Sequence, residues 1–116
     1  MARANTKRSR AGSIIRGSGN VFADLGLPDA EERQTKLRLA YALNTVVDAQ
    51  RLTQEAAAVR LGLNQPKVSA LRNYKLEGFS VERLMTLLTA LDRDVDIVIR
   101  KKPKSRPAAR ISVVAA

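Results

Sequence analysis

Residues 54–73, QEAAAVRLGLNQPKVSALRN, constrain the fold of this 116-residue chain more than any other stretch. Thr53 is a favourable N-cap for a helix that begins directly after it, and Gly62 ends that helix because glycine adopts a left-handed conformation at little cost. Asn64 caps a second helix, with Pro66 in its first turn, where the missing N–H costs nothing. The sequence therefore predicts two short helices joined by a tight turn.

The spacing of small and apolar residues in this stretch fits two helices that cross at a steep angle. Ala57 and Ala58 are small enough for close helix contact, and apolar residues occupy the inner faces. These are Leu61, Leu63, Val68 and Leu71. The outer face of the second helix keeps short or polar side chains that fit a DNA major groove without clashes. It comprises Gln65, Pro66, Lys67, Ser69, Ala70, Arg72 and Asn73.

The flanking segments predict two further helices that complete a small core. One begins at Asp29, where Glu32 completes a capping box, and runs to about Gln50. Its inward residues are Leu39, Ala40, Leu43, Val46 and Val47, while polar residues that include Asn44 and Asp48 are expected on its surface. Ser80 caps the last helix, with Phe79 placed to pack on Leu84. Leu84, Leu87, Leu88 and Leu91 form its core face. A single helical turn is also predicted at residues 21–25.

Residues 95–100, VDIVIR, alternate in the manner of a β-strand. A lone strand leaves backbone groups unpaired, so we expect the same strand of a second copy to pair with it about a two-fold axis. The dimerisation residues are then Val95, Ile97, Val98 and Ile99. Packing against the turn at residues 21–25 without dimerisation is the alternative.

The net charge of +10 is concentrated at the two ends of the chain. Residues 1–20 carry five basic residues and no acid, residues 100–116 carry six and no acid, and the part between is nearly neutral. Basic ends of this kind attract polyanions such as nucleic acids, and the alternative is that they only keep the protein soluble. We therefore expect a basic flexible tail at residues 1–20, one domain at residues 21–100 and a second basic tail at residues 101–116. Lys75 and Arg72 are candidate phosphate contacts.

The composition excludes several function classes. The chain has no Cys and no His, which excludes disulfides, thiolate chemistry and the usual zinc sites. Asp92, Asp94 and Asp96 form a dense acidic cluster, and the end of a helix and a strand explain these residues better than a metal-dependent active site does. We expect no enzyme activity, no metal and no cofactor. An apolar run long enough to span a bilayer is also missing, which predicts a cytoplasmic protein.

The segment LTQEAAAVRLGLNQPKVSALRN resembles the helix-turn-helix of the lambda-repressor and Xre superfamily. The resemblance implies that Gln65 hydrogen-bonds a base edge, with Pro66, Lys67, Ser69 and Ala70 nearby, and that Gln54 and Asn73 contact phosphates or brace Gln65. The implied fold is mainly α, a lambda-repressor-like helix-turn-helix bundle of about four to five helices with one C-terminal β-strand that pairs across a dimer.

The order of segments extends this resemblance over residues 18–102. GNVFADLGLPDAEE, a long helix, the motif and GFSVERLMTLLTALDRDVDIVIR together look like Xre-family antitoxins of HigA type. The resemblance implies a bacterial, nucleoid-associated homodimer that binds a palindromic operator, represses its own promoter and neutralises a RelE-like or HigB-like toxin of a type II toxin-antitoxin pair. The alternative is a protein-interaction adaptor or RNA-associated helix-turn-helix factor without operator recognition.

Overall fold

The computed structural model describes residues 29–115. Four helices lie in this range: α1 at Asp29–Ala49, α2 at Gln54–Leu61, α3 at Gln65–Arg72 and α4 at Val81–Ala90. The long α1 packs against α4 and α3, and α2 packs against α3 and α4. The mainly helical prediction is confirmed, and the bounds of α1, α2 and α3 lie within one residue of their expected places. Helix α4 begins directly after Ser80, as expected, but it ends at Ala90, before Leu91, which was predicted to belong to it. The turn predicted at residues 21–25 and the tail at residues 1–20 lie outside the described residues.

Three predicted side-chain caps begin the three short helices. The backbone N–H of Ala56 donates to Thr53 Oγ1 at 3.0 Å, and the N–H of Lys67 donates to Asn64 Oδ1 at 2.9 Å. At the start of α4, the N–H of Arg83 likewise donates to Ser80 Oγ at 3.0 Å. Each cap satisfies one of the backbone donors that the first turn of a helix leaves free and stabilises its helix by about 1 kcal/mol.

All four described helices end in the same way, with a residue in the left-handed conformation. The N–H that follows this residue then donates to a carbonyl five positions earlier, which is the Schellman motif. The left-handed residues are Arg51 (φ 55°), Gly62 (φ 67°), Tyr74 (φ 59°) and Asp92 (φ 64°). The corresponding bonds run from Leu52 to Val47, Leu63 to Ala58, Lys75 to Ala70 and Arg93 to Leu88, at 2.8–3.1 Å. The sequence predicted this left-handed conformation for Gly62 only.

The core consists of aliphatic residues from every described helix. The predicted inward residues of α1 and α4 are all buried, and so are Ala57, Ala58 and Leu61 of α2 and Val68 and Leu71 of α3. Phe79 and Leu84 are both buried in the same cluster, as the predicted staple requires. Leu76, in the loop after α3, also belongs to the core and was missed in the sequence.

Polar side chains tie the C-terminal end of α4 to α1 and α2. Gln50 Nε2 donates to the carbonyl of Leu91 at 3.1 Å, and Arg60 Nη2 donates to the carbonyl of Ala90 at 3.4 Å. Arg60 also forms an ion pair with Asp92 at 3.8 Å. These donors satisfy carbonyls that the last turn of a helix leaves unpaired, and the positive charge suits that end of the helix dipole.

The strand predicted at residues 95–100 is not observed in the described part of the chain, which corrects the fold prediction. These residues carry no ladder hydrogen bonds, because no second strand stands beside them within residues 29–115. Val95 packs on the core, whereas Ile97 and Ile99 are 74% and 83% exposed. Alternating β-branched residues favour an extended backbone, but a strand exists only with a partner.

The segment after residue 100 returns to α1. The backbone N–H of Ile111 donates to Glu31 Oε2 at 3.1 Å, and Val113 packs against the core. Val113 and Ala115 also line a shallow groove with Leu37, Arg38, Tyr41, Ala42 and Tyr74. The part of the basic C-terminal tail that the structure describes therefore contacts the helical domain.

Replacing Gly62 by alanine tests the turn between α2 and α3. A Cβ at this position meets no atom within 4 Å, so the left-handed φ of 67° is the sole source of strain. We expect the free energy of unfolding to fall by about 1 kcal/mol, because an L-residue pays a steric penalty in this conformation that glycine avoids. Urea denaturation followed by circular dichroism measures the change.

The matched control is Gly78→Ala. Its Cβ would stand 2.8 Å from Lys67 Nζ, which is the movable end of a flexible side chain, and the backbone of Gly78 is not left-handed. We expect a smaller loss there. Equal losses at the two glycines would contradict the assignment of the effect at Gly62 to its backbone conformation.

Candidate nucleic-acid interface

Helix α3 presents a mostly polar face to solvent because its large aliphatic residues, Val68 and Leu71, are turned inward. Val68 and Leu71 are fully buried. Gln65 and Pro66, in the first turn, are exposed, and Ser69 and Ala70 are half-buried at the edge of the same face. The first turn is therefore the part of α3 that a partner reaches most easily.

The charge distribution also distinguishes α3. The other three described helices each have an acidic residue in the first turn, and α3 has none. From Gln65 to Lys75 the chain carries Lys67, Arg72 and Lys75 and no acid. Since the N-terminus of a helix carries positive partial charge, this end of α3 suits a polyanion.

The Lys67 side chain is directed toward the loop that follows α3. Its Nζ donates to the carbonyl of Gly78 at 2.9 Å and lies 4.6 Å from the centre of the Phe79 ring. The cation–π contact and the hydrogen bond hold this ammonium beside the loop. The structure thus places Lys67, which the sequence suggested as a base contact near Gln65, at the border of the exposed face.

Asn73 and Ser69 lie one helical turn apart and are joined by hydrogen bonds. Asn73 Nδ2 donates to the carbonyl of Ser69 at 2.8 Å and approaches Ser69 Oγ at 3.5 Å. The amide therefore closes the last turn of α3. Gln54, at the start of α2, and Lys75, after α3, are both exposed. The predicted phosphate contacts Gln54, Asn73 and Lys75 thus all lie at the surface, near the ends of the two helices.

Arg72, the remaining candidate phosphate contact, is bound to α1. Its Nη1 donates to the Asn44 carbonyl at 3.2 Å and to Asn44 Oδ1 at 3.0 Å, and its Nη2 donates to Asp48 Oδ1 at 2.6 Å. The guanidinium therefore joins α3 to α1.

Asn44 was expected on the surface of α1, and that prediction is wrong. Asn44 is 5% exposed, and its Nδ2 donates to the carbonyl of Leu71 at 3.1 Å. The sequence did indicate this burial, because Asn44 lies between Leu43 and Val47 on the face of α1 that carries the core residues. A buried amide needs partners on both of its polar atoms, and Leu71 and Arg72 of α3 supply them.

The acidic residues near the end of α4 form no metal site. Within residues 29–115, no group of three or more His, Cys, Asp or Glu side chains is arranged to hold a metal ion. In the same range, no helix has both the length and the apolar character needed to cross a membrane.

Helices α2 and α3 pack through small residues and are joined by a turn at the left-handed Gly62, and α3 presents a basic and polar face. These features define the helix-turn-helix class. A family model described as a helix-turn-helix domain matches residues 21–100. Since this is more than half of the chain, the protein belongs to that family.

A solved structure provides the second comparison. It is named as an XRE family transcriptional regulator and is 85% identical to this chain, covering 77% of this chain and 100% of its own, with a TM-score of 0.75. No curated protein matches the sequence. The chain is thus a transcriptional regulator of Xre type, and this family is not one of enzymes.

Truncating Asn44 tests the contact between α1 and α3. Asn44→Ala removes the donor to the Leu71 carbonyl and one acceptor of Arg72, and we expect the free energy of unfolding to fall by about 1–3 kcal/mol. Thr45→Ala is the control, because that exposed hydroxyl bonds only the carbonyl of Tyr41 in its own helix. If urea denaturation gives the two variants equal stability, Asn44 does not hold α3 to α1.

Proposed function

We propose that this regulator binds a palindromic DNA operator as a homodimer and represses transcription from its own promoter. The observation that carries the proposal is the exposed first turn of α3, which contains Gln65 and Pro66 and no acidic residue. The inner residues of that helix, Val68 and Leu71, are buried in the core. A major groove admits such a helix, and its N-terminal residues then reach the base edges.

Gln65 is the residue proposed to read a base, since glutamine bonds adenine through two adjacent atoms. Pro66 and Ala70 offer apolar contact to a thymine methyl group, and Ser69 offers a hydroxyl. Lys67 keeps donors beyond the one used at Gly78, and its position at the border of the face favours a phosphate over a base. Gln54, Asn73 and Lys75 are proposed to contact phosphates.

The exposed apolar segment after α4 supports the dimer. Val95 is anchored on the core, while Ile97, Val98 and Ile99 are exposed and their backbone lacks ladder partners in the described chain. A second copy would satisfy these groups by antiparallel pairing about a two-fold axis. Two α3 helices about 34 Å apart would then meet successive turns of one face of the DNA.

The setting that we propose is a type II toxin-antitoxin pair, in which the chain also neutralises a RelE-like or HigB-like toxin. Its support is the resemblance of GFSVERLMTLLTALDRDVDIVIR to HigA-type antitoxins. A short ribonuclease-like reading frame beside the gene, whose product co-purifies with this chain, is the expected finding. A neighbouring gene of unrelated kind would remove the toxin from the proposal and leave the repressor.

Gln65→Ala tests base reading. We expect the full-length variant to lose at least about tenfold in affinity for a duplex selected from a random-sequence library by the wild type, because one bidentate base contact is worth about 1–3 kcal/mol. Its affinity for a scrambled duplex should not change. Fluorescence anisotropy measures both.

The control for this experiment is Gln34→Ala, an equivalent truncation at an exposed position of α1. It should bind both duplexes as the wild type does. Equal wild-type affinity for selected and scrambled duplexes, or for RNA, would contradict operator recognition and favour the RNA-associated alternative.

Ile97→Asp tests the dimer. Across a two-fold axis the substitution places like charges near each other in paired strands, so we expect the dimer dissociation constant to rise at least about tenfold in sedimentation equilibrium. Val114→Asp, at an 85% exposed apolar residue outside the segment, should leave it unchanged. A monomeric wild type, or an unaffected Ile97→Asp dimer, would contradict this interface.

A further inference from the structure

We infer that Arg72 sets the orientation of α3 on α1 and that it is a positioning residue for base reading, not a phosphate contact. The inference rests on the proposed DNA-binding function. It concerns a cluster of three side chains, Arg72 with Asn44 and Asp48, which we call the α1–α3 clamp.

The clamp uses both terminal nitrogens of the guanidinium. One terminal nitrogen bonds both oxygens of Asn44, at 3.2 Å and 3.0 Å, and the other bonds Asp48 Oδ1 at 2.6 Å. The side chain of Arg72 is 27% exposed, and that of Asp48 is 69% exposed. Arg72 is therefore the inner partner of the pair, held between α1 and α3.

Asn44 connects the guanidinium to the backbone of α3. Its Nδ2 donates to the carbonyl of Leu71, and its Oδ1 accepts from Arg72, so two consecutive residues at the end of α3 are bound to one buried amide. If Arg72 turned outward to a phosphate, the buried Asn44 Oδ1 would lose this donor. A buried acceptor without a donor is costly, which favours the closed arrangement.

The clamp controls the position of Gln65 because a tilt of α3 at its C-terminal end displaces its N-terminal end. Gln65 and Arg72 are the first and last residues of α3, and a helix rises about 1.5 Å per residue, which separates them by roughly 10 Å along the axis. A tilt of about 10° at the clamp then moves the Gln65 end by about 2 Å. Hydrogen bonds to bases tolerate only a few tenths of an ångström, so base reading requires the clamp.

The salt dependence of DNA binding separates a positioning residue from a phosphate contact. Each phosphate contact contributes about 0.9 to the slope of log affinity against log salt concentration on duplex DNA. A positioning residue contributes nothing to this slope, but its loss lowers the ratio of specific to non-specific affinity. Both quantities are obtained from anisotropy titrations at several salt concentrations.

Arg72→Lys is the decisive variant, because it keeps the charge and removes the fork that Asn44 and Asp48 require. With the full-length chain and the duplex selected by the wild type, we expect affinity to fall at least about fivefold with an unchanged salt slope. Binding to a scrambled duplex should be unaltered. Wild-type affinity for the selected duplex would overturn the inference, since lysine serves a phosphate equally well.

Two further variants complete the test. Arg72→Gln should lower specific affinity without changing the salt slope beyond the change seen in Arg33→Gln, a control of equal charge at an exposed position near the start of α1. Asp48→Asn should lower the ratio of specific to scrambled affinity. Two results would overturn the clamp. One is a salt slope that is smaller by about 0.9 in Arg72→Gln than in Arg33→Gln. The other is tighter binding of the selected duplex by Asp48→Asn, which would mean that a released Arg72 contacts the DNA.

Thermal melts monitored by circular dichroism confirm that each variant is folded at the titration temperature. The proposed function and the clamp fail differently. If the wild type selects no sequence from the library, operator recognition itself is refuted. If it selects a sequence and Arg72→Lys binds that sequence normally, only the clamp is refuted.

Discussion

Val68 and Leu71 lie on the inner face of α3 and are completely excluded from solvent, and their burial determines which side of the helix remains outside. A helix of eight residues is too short to be stable alone, so its structure depends on this packing against α1 and α2. Once the two residues are inside, the 3.6-residue period leaves Gln65, Pro66 and Ser69 facing outward. The fold and the candidate interface are thus two consequences of one pattern.

Short helices also require well-defined ends. In the described chain each short helix has a side-chain cap at its start, and all four helices have a left-handed residue at the finish. Each end fixes the direction in which the chain leaves the helix, and the connections that join α1, α2 and α3 are only a few residues long. The orientation of α3 is therefore set locally by Asn64 and Tyr74 and at longer range by Asn44, whose amide bonds the Leu71 carbonyl from a helix 27 positions earlier.

The sequence predicted the parts that depend on local chemistry and missed those that depend on tertiary contacts. Thr53, Asn64 and Ser80 act as caps through their own side chains, and Gly62 does so because it lacks one, so the sequence alone predicted these roles. Arg51, Tyr74 and Asp92 adopt the same left-handed conformation as Gly62, yet nothing in an L-residue signals it. Asn44 and Arg72 were each placed at the surface because a polar residue in isolation favours solvent; only the fold shows that they bond each other. The strand predicted at residues 95–100 requires a second strand beside it, and the described part of the chain supplies none.

The distribution of charge separates attraction to DNA from discrimination among sequences. All of the net charge of +10 lies in residues 1–20 and 100–116, and two of the three basic residues between Gln65 and Lys75 are bonded within the domain. Phosphate attraction scales with the number of cations that reach the DNA, so on the proposed function we expect the chain ends to supply sequence-independent affinity. On the proposed function, discrimination then rests on a few neutral side chains of α3. Because such contacts are short and directional, we propose that the α1–α3 packing governs specificity more than charge does.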